Sequence, residues 1–320
     1  MQKRYNDYGN WIRNKFGTKV QKISLDGGFS CPNRDGRISH GGCVYCNNAT
    51  FNPSYCTTTA GRKSEEESLE ISAENILEQL IKGKSFFAKK YPEMKYIAYF
   101  QSYTNTYAPL HQLKTLYETA ASAEDIVGIS IATRPDCISD ELLDYLENLS
   151  KRTFLTVEYG VESLNDDTLK KINRGHNSAC SIKAIESTHN RGITTCAHII
   201  LGLPGETTQE ILRQADILCH LPVDIIKLHQ LQITKNTILS NDEELKKECT
   251  LYTPDEYISI ITEYIKHARK DIVFERFTSQ SPSELLIAPR WGLKNHEFTN
   301  LLDRHLASSD VWQGTCFYDS

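Results

Sequence analysis

Three cysteines stand close together in a glycine-rich segment near the N-terminus. Eleven residues separate Cys31 from Cys43, and two separate Cys43 from Cys46. Three thiolates on one loop could ligate three irons of a cubane cluster and leave the fourth iron open to a small molecule. A structural zinc site normally needs four protein ligands in two close pairs, so zinc would have to recruit Cys56 or His40 as well. The spacing favours an iron–sulfur cluster, with zinc as the alternative.

The other cysteines are scattered along the chain. Ten cysteines in an intracellular chain indicate metal or redox chemistry rather than a disulfide framework. Cys56 is near enough to be a fourth ligand, a thiol that reacts with substrate, or a residue without a role. Five more are predicted to be small core residues in helices or strands, namely Cys137, Cys180, Cys196, Cys219 and Cys249.

Composition excludes several classes of protein. No apolar run approaches the roughly 20 residues that span a bilayer, and the N-terminus lacks the apolar stretch of a signal peptide. We therefore expect a cytoplasmic protein without membrane association. A net charge of -5 argues against nonspecific nucleic-acid binding through bulk electrostatics, although local basic patches remain compatible with it.

Short apolar runs alternate with longer segments of helical period, and these elements must position the cysteine loop. The runs predict six strands and a possible seventh, at 20–25, 95–100, 126–132, 154–159, 194–201, 224–231 and 272–277. Capping-box spacings mark helix starts at Ser64 with Glu67, at Thr207 with Glu210, and at Thr253 with Glu256.

Regular alternation of strand and helix implies parallel strands with right-handed crossovers, in a doubly wound sheet or a barrel. Polar residues at the carboxyl ends of the strands favour the barrel, because barrel active sites assemble there. These residues are Asp26, Gln101, Ser102, Thr133, Arg134, Glu158, Glu162, His198, Lys227, His229 and Gln230. The predicted fold is α/β, a partial (β/α)6 TIM-type barrel at 20–277. An N-terminal extension at 1–19 and a small C-terminal extension or cap at 278–320 complete it.

The cysteine loop resembles that of the radical S-adenosylmethionine (SAM) superfamily. That family usually has three residues in the first gap, and this chain has eleven, as in the branch related to the catalytic subunit of Elongator. The stretch Cys-Pro-Asn-Arg-Asp-Gly followed by Gly-Gly-Cys-x-x-Cys-Asn is similar to a bacterial subfamily of that branch. Further motifs carry the likeness along the chain, at 99–107, 158–163, 173–176 and 201–206.

The resemblance implies a 4Fe–4S cluster on Cys31, Cys43 and Cys46, with SAM chelated to the open iron and cleaved on one-electron reduction. It also implies an electron donor such as flavodoxin or ferredoxin. Six further residues are predicted to contact SAM: Gln101, Ser102, Glu162, Arg174, His198 and Lys227. For Arg174 the alternative is a surface ion pair with Asp166 or Asp167, and for His198 it is an ordinary core position.

The same branch suggests transfer RNA as substrate, and specifically the C5 substituent of the wobble uridine, converted from a carboxymethylaminomethyl to an aminomethyl type. No segment after residue 276 is long enough for the acetyltransferase domain of Elongator. Basic and aromatic side chains would hold a splayed anticodon, or would serve only as core aromatics and surface charges. They are Arg34, Arg37, Tyr45, Tyr55, Tyr103, Tyr107, Arg134, Arg276, Arg290 and Trp291. Two alternatives stay open: a radical SAM enzyme acting on a small metabolite or tetrapyrrole, and a non-catalytic iron–sulfur or zinc module.

Overall fold

The computed structural model describes residues 2–50, 53–56, 73–88 and 93–318, and the helix start predicted at Ser64 and Glu67 lies outside these ranges. Seven parallel strands form the main sheet, in the order in which they follow along the chain. They are β1 Val20–Leu25, β2 Lys95–Phe100, β3 Ile126–Thr133, β4 Phe154–Glu162, β5 Thr194–Leu201, β6 Ile225–Gln230 and β8 Val273–Arg276. A short antiparallel pair, β7 Ile233–Thr234 with β9 Leu286–Ala288, lies apart from it.

Helices follow the strands and cover the outer face of the sheet. In chain order they are α1 Tyr8–Phe16, α2 Ala73–Ala88, α3 Leu110–Ser122, α4 Asp140–Ser150, α5 Asp166–Lys171, α6 Ser178–His189, α7 Thr208–His220, α8 Ile238–Asn241, α9 Glu243–Lys247, α10 Pro254–His267 and α11 Asn295–Ser308. Short 3₁₀ turns occupy Asn48–Thr50, Ser54–Cys56 and Pro135–Cys137. No helix in the described ranges is long and apolar enough to cross a bilayer.

The sheet is curled into a partial barrel. Strands β1 and β8 stand at opposite edges of the strand order. Even so, Nζ of Lys22 on β1 lies 2.7 Å from a carboxylate oxygen of Glu275 on β8. A flat seven-stranded sheet would hold its edge strands several strand spacings of about 4.8 Å apart. The contact therefore confirms the predicted α/β partial barrel, with the possible seventh strand present.

The N-terminal helix lies across the gap between the two edge strands. Helix α1 packs on both β1 and β8, and the Phe274 amide donates to the carbonyl of Asn6 just before it. Tyr8 and Trp11 pack against a small apolar cluster of Cys196, Ile225 and Val273 inside the sheet. The division at residue 19 stays a prediction, although residues of this extension help to close the barrel.

Two of the predicted helix starts appear with their side-chain caps. Thr207 accepts a hydrogen bond from the Glu210 amide. At Thr253 the full reciprocal capping box forms, because the Glu256 carboxylate also accepts from the Thr253 amide at 2.8 Å. Such caps stabilise a helix by about 1 kcal/mol each, since they satisfy amides with no partner inside the helix.

The predicted core role of the scattered cysteines is correct for only some of them. Cys196 and Cys219 are buried. Cys137, Cys180 and Cys249 are partly exposed, and Cys249 follows the end of α9 in a bend rather than lying within an element. A core position was the wrong expectation for these three, because each sits at or near the end of an element, where the chain reaches the surface.

Candidate active site

A cavity of about 840 Å³ opens at the carboxyl ends of the parallel strands. Its wall contains all three clustered cysteines and most of the residues predicted to contact SAM: Cys31, Cys43, Cys46, Gln101, Glu162, Arg174, His198 and Lys227. Ser102 is different, because it is buried and does not line the cavity. Its neighbours Tyr103 and Thr104 do line it. Five of the six residues predicted to contact SAM therefore line this cavity, and the sixth, Ser102, is buried behind its surface.

The cysteine loop is organised around the sulfur of Cys43. The side-chain amide of Asn33 donates to this sulfur at 3.6 Å, and Nη1 of Arg174 donates to it at 3.5 Å. The amide of Cys46 donates to the carbonyl of Cys43, which turns the second cysteine back toward the first. The Arg34 guanidinium donates to the Cys46 carbonyl at 2.8 Å and braces that turn.

The spacing of the sulfurs distinguishes a cluster from a single metal ion. Four thiolates around one zinc ion lie about 3.8 Å apart, given Zn–S bonds of about 2.3 Å. The sulfurs of Cys31, Cys43 and Cys46 do not all lie within 4.8 Å of one another. In a cubane each thiolate binds a different iron, which sets the sulfurs further apart. As placed, the three sulfurs do not surround a single zinc ion.

The candidate fourth ligands for zinc do not face the cavity. Cys56 is buried, its thiol donates to the carbonyl of Ser24 at 3.1 Å, and burial raises its pKa to about 12. His40 is exposed. Neither residue lines the cavity that holds the three cysteines. The arrangement supplies three ligands, the number that leaves one iron of a cubane open.

Arg174 is a buried part of this site. Besides Cys43, its guanidinium donates to the carbonyl of Gly160 and lies 3.6 Å from the Glu162 carboxylate. Burial by itself lowers the pKa of Arg174, but Cys43, Tyr45 and Glu162 overcome this and hold its pKa above the usual value. The alternative of a surface ion pair with Asp166 or Asp167 is therefore wrong.

Glu162 has an unusual backbone. Its φ is 67°, in the left-handed region that side chains other than glycine seldom adopt. It lies where the pairing of β4 with β5 shifts register, between Gly160 and Glu162. Such strain persists only where surrounding contacts enforce it, and it is frequent at functional sites. Here it places the carboxylate beside Arg174.

Four charged side chains form a network inside the barrel, and two of them, Glu158 and Lys227, line the cavity. Lys22 lies 2.6 Å from Glu158 and 2.7 Å from Glu275, and Lys227 lies 2.5 Å and 3.0 Å from the same two carboxylates. Two positive and two negative charges balance, which is the condition for burying them. Attraction to both lysines overcomes burial and holds the pKa of Glu158 well below its usual range.

Two histidines, His198 and His229, lie next to this charge network. Nε2 of His198 lies 2.8 Å from Glu158. Burial, with Lys227 as the next cause, lowers the pKa of His198 despite that carboxylate. His229 lies beside it, with Nδ1 2.7 Å from the Ser279 hydroxyl, and burial lowers its pKa further. Both rings are therefore neutral at pH 7, able to donate or accept a hydrogen bond.

Glu158, Cys196 and His198 also bring three potential metal-ligand atoms within 4.8 Å of one another. The carboxylate already has two lysine ammonium groups as partners. A cation placed there would meet both positive charges. We therefore assign this group to the charge network and not to a metal site.

Sequence reasoning missed three residues of the site. Lys22 and Glu275 complete the charge network, and Asn33 donates to the cysteine sulfur. A signal for Lys22 was present, because a lysine within a β-strand of a barrel needs a polar interior or a surface. Asn33 lies within the quoted cysteine motif, but spacing alone does not show where an amide points.

The basic and aromatic side chains predicted for RNA binding divide into three groups. Trp291 stacks on Phe298 with ring centroids 5.5 Å apart, and Tyr55 packs against the core, so both are core aromatics. The members that line the cavity are Arg34, Tyr45, Tyr103, Arg134 and Arg276. The remaining members, Arg37, Tyr107 and Arg290, lie outside its lining.

Two family models match the chain. The model described as Radical SAM superfamily matches residues 34–218, and the model described as Radical_SAM C-terminal domain matches residues 223–308. YtqA of Bacillus subtilis is 35% identical over 316 residues, which cover 99% of this chain and 94% of that protein. These matches extend over nearly the whole chain.

Two further comparisons concern the branch. A tRNA uridine(34) acetyltransferase of Dehalococcoides mccartyi is 32% identical over 149 residues, 45% of this chain and 30% of that protein. The solved structure of archaeal Methanocaldococcus infernus Elp3 superposes with a TM-score of 0.64 at 16% identity, covering 92% of this chain and 64% of that one. The second comparison shows a shared fold.

The cavity geometry and the comparisons agree on the cofactors and on catalysis. Three cysteines with separated sulfurs, at one cavity with buried polar walls, suit the 4Fe–4S cluster and SAM that this superfamily uses. The chain is an enzyme that belongs to the radical SAM superfamily.

Proposed function

We propose that this enzyme acts on the C5 substituent of the wobble uridine in transfer RNA and converts a carboxymethylaminomethyl group to an aminomethyl group. The observation that carries the substrate is the similarity to a protein named for its action on tRNA uridine 34. A radical reaction suits this change, because ordinary acid–base chemistry does not remove a carboxymethyl group from an amine. Oxidation of the methylene carbon next to the nitrogen, with SAM as the oxidant overall, followed by hydrolysis would break the bond from nitrogen to that carbon. It would leave the primary amine and release the two-carbon fragment as glyoxylate, beside methionine and 5′-deoxyadenosine.

In this proposal Cys31, Cys43 and Cys46 hold the cluster, and Asn33 and Arg174 orient the Cys43 sulfur through their hydrogen bonds. Hydrogen bonds to ligating sulfur also adjust the reduction potential of a cluster. When bound, the reduced cluster and SAM together supply the organic radical that starts the reaction. The walls then have to hold the reacting groups in position and exclude water.

The proposal assigns SAM contacts to residues around the cavity. Gln101, held by a 2.8 Å hydrogen bond from the Ser24 hydroxyl, supplies an amide. Glu162 and His198 supply a carboxylate and a neutral imidazole. Two more predicted residues have other partners: Lys227 is held by carboxylates, and Ser102 is behind the wall. We therefore propose that these two act by supporting their neighbours.

The remaining parts of the proposal concern partners and place. Flavodoxin or ferredoxin is proposed as the electron donor, and the cytoplasm as the location, since the transfer RNA substrate is there. Cavity-lining Arg34, Tyr45 and Tyr103 offer the positive charge and aromatic faces on which an unstacked anticodon base binds. Replacing dithionite with a flavodoxin reducing system tests the donor, and failure to support SAM cleavage would exclude it.

The chemistry is tested by anaerobic reconstitution of the full chain with iron and sulfide. We expect near four irons per chain and reductant-dependent formation of 5′-deoxyadenosine. Cys43→Ala should lose both, whereas the matched control Cys56→Ala should keep both, because Cys56 lies away from the cavity. Stoichiometric zinc without SAM cleavage would contradict the assignment.

The substrate is tested by nucleoside analysis of transfer RNA from a deletion strain. We expect carboxymethylaminomethyluridine to accumulate and aminomethyl-type uridines to fall, with rescue by the wild type and by Cys56→Ala but not by Cys43→Ala. An unchanged wobble-uridine profile alongside intact SAM cleavage would refute the RNA proposal. That outcome would favour a small-molecule substrate.

A further inference from the structure

A β-bulge gives strand β8 two consecutive side chains on the inner side of the barrel. Ile226 pairs with Phe274 and the next residue, Lys227, pairs with Arg276, so Glu275 is the extra residue. Neighbouring side chains of a regular strand point to opposite faces. Here Glu275 enters the buried charge network, and Arg276 nevertheless lines the cavity. Bulges are common next to active sites, where they redirect a side chain.

Arg276 differs from the other cations around the cavity. Arg34 donates to a carbonyl, Arg134 pairs with Asp136, and Lys227 is held by two carboxylates. Arg174 is bound to the cysteine loop. In the ranges that the structure covers, Arg276 has neither a hydrogen bond nor an ion pair, and its side chain is exposed to the cavity. Its full set of donors is therefore available to a ligand.

The surroundings of Arg276 place its charge inside the cavity. It contributes, after burial and His198, to the lowered pKa of His229. It also acts on Lys227 and on Tyr99, two further residues of the cavity lining. Ser279 fixes the His229 ring, so a neutral imidazole stands near the guanidinium. A planar oxyanion could accept two parallel hydrogen bonds from Arg276 here.

We propose that Arg276 is the substrate-positioning residue that binds the carboxylate of the uridine substituent; this rests on the proposed function. The planar guanidinium matches a carboxylate in shape and charge. Binding the carboxylate would fix the carboxymethyl group relative to the cysteine end of the same cavity. The Arg276 guanidinium would also fit an RNA phosphate, so the experiment must distinguish a phosphate contact from a carboxylate contact.

The test uses reconstituted enzyme without reductant and labelled anticodon stem-loops that carry either carboxymethylaminomethyluridine or its uncharged methyl ester. We expect the wild type to bind the acid about tenfold to a hundredfold more tightly than the ester, the range of a charge-assisted hydrogen bond. Arg276→Gln should bind both at the ester's affinity, and Arg276→Lys should discriminate less than the wild type. Iron content should match that of the wild type, which shows that both variants fold and hold the cluster.

Arg290→Gln is the matched control, because Arg290 is exposed and its guanidinium donates to backbone carbonyls outside the cavity. It should preserve the preference for the acid. Equal weakening of acid and ester by Arg276→Gln would overturn the assignment in favour of a phosphate contact, and a wild type that does not discriminate would also overturn it. Binding of neither RNA would refute the proposed function itself, whereas discrimination without product would refute the proposed reaction and support Arg276.

Discussion

The buried charge network predicts a large and specific loss of stability in Glu158→Gln. Glu158 is fully buried and accepts hydrogen bonds from Lys22, Lys227 and Ser130 while it contacts His198. The substitution keeps the shape of the side chain and removes its charge. Both lysines would then depend on Glu275 alone, which leaves a net positive charge inside the barrel.

The size of the effect follows from that imbalance. Removing one partner of a buried ion pair lowers the free energy of unfolding by about 3–5 kcal/mol. The entropy of unfolding of a 320-residue chain is about 0.7 kcal/mol/K, from about 2.1 cal/mol/K per residue. Glu158→Gln should therefore lower Tm by about 4–7 °C. Exposed Glu78, paired with Lys82 on α2, is the control, and Glu78→Gln should change stability by under about 1 kcal/mol.

Charge balance supplies the sharper test. Adding Lys227→Met to Glu158→Gln returns the network to neutrality, so the double variant should unfold at a higher temperature than Glu158→Gln alone. Differential scanning calorimetry measures five proteins: the wild type, Glu158→Gln, Lys227→Met, the double variant and the control Glu78→Gln. A Tm for Glu158→Gln equal to that of the wild type, or a double variant less stable than either single one, would refute the reasoning.

The pH dependence has a definite sign. Lys22 and Lys227 hold the folded pKa of Glu158 below its unfolded value. A depressed carboxyl pKa contributes stability that is present above the unfolded value of about 4.3 and is lost as pH falls through the folded value. The Tm difference between wild type and Glu158→Gln should therefore reach its maximum by pH 6 and decrease as the pH falls below about 4.

Three further outcomes are expected. Asn33→Ala removes an N–H donor from the Cys43 sulfur, so a redox titration followed by electron paramagnetic resonance should show a more negative cluster potential; an unchanged value would contradict the contact. Burial lowers the pKa of His176 to about 3, so the wild type should lose stability as pH falls below about 6.5. The fall in Tm between pH 7 and pH 5 should be smaller in His176→Gln, and an equal fall in both proteins would disprove this. Gly42→Ala puts a Cβ at positive φ and 2.9 Å from Arg34 Nε, so iron incorporation and Tm should both fall, and normal values of both would argue against this role of the glycine.

The strands were predictable because buried parallel strands leave a continuous apolar run in the sequence. Each predicted run became a strand, with bounds that moved by only a few residues. The rim of the barrel was predictable for a related reason. Polar residues directly after an apolar strand lie at the carboxyl end of the barrel, where active sites assemble. The same logic placed Glu158, Glu162 and His198 at one cavity, whereas Arg174 follows helix α5 and was predicted from the family resemblance alone.

Contacts across the barrel were not predictable in this way. The ion pair of Lys22 with Glu275 joins residues on the two edge strands, and nothing local in either strand identifies the other. The hydrogen bond from Asn33 to the Cys43 sulfur depends on how a loop without regular structure folds. Periodicity reports which face a side chain occupies, and it contains no information on which strand lies opposite.

Strand β8 shows why the substrate side of the site is the harder half to read from sequence. Strict alternation predicts that Arg276 points away from the cavity whenever Glu275 points into the barrel. A one-residue shift in the pairing with β6 lets both face inward, one into the buried charge network and one toward a ligand. The apolar pattern of a strand is unchanged by such a shift. The cysteines therefore identify the chemistry from sequence, whereas specificity residues such as Arg276 depend on a pairing register that only the structure reveals.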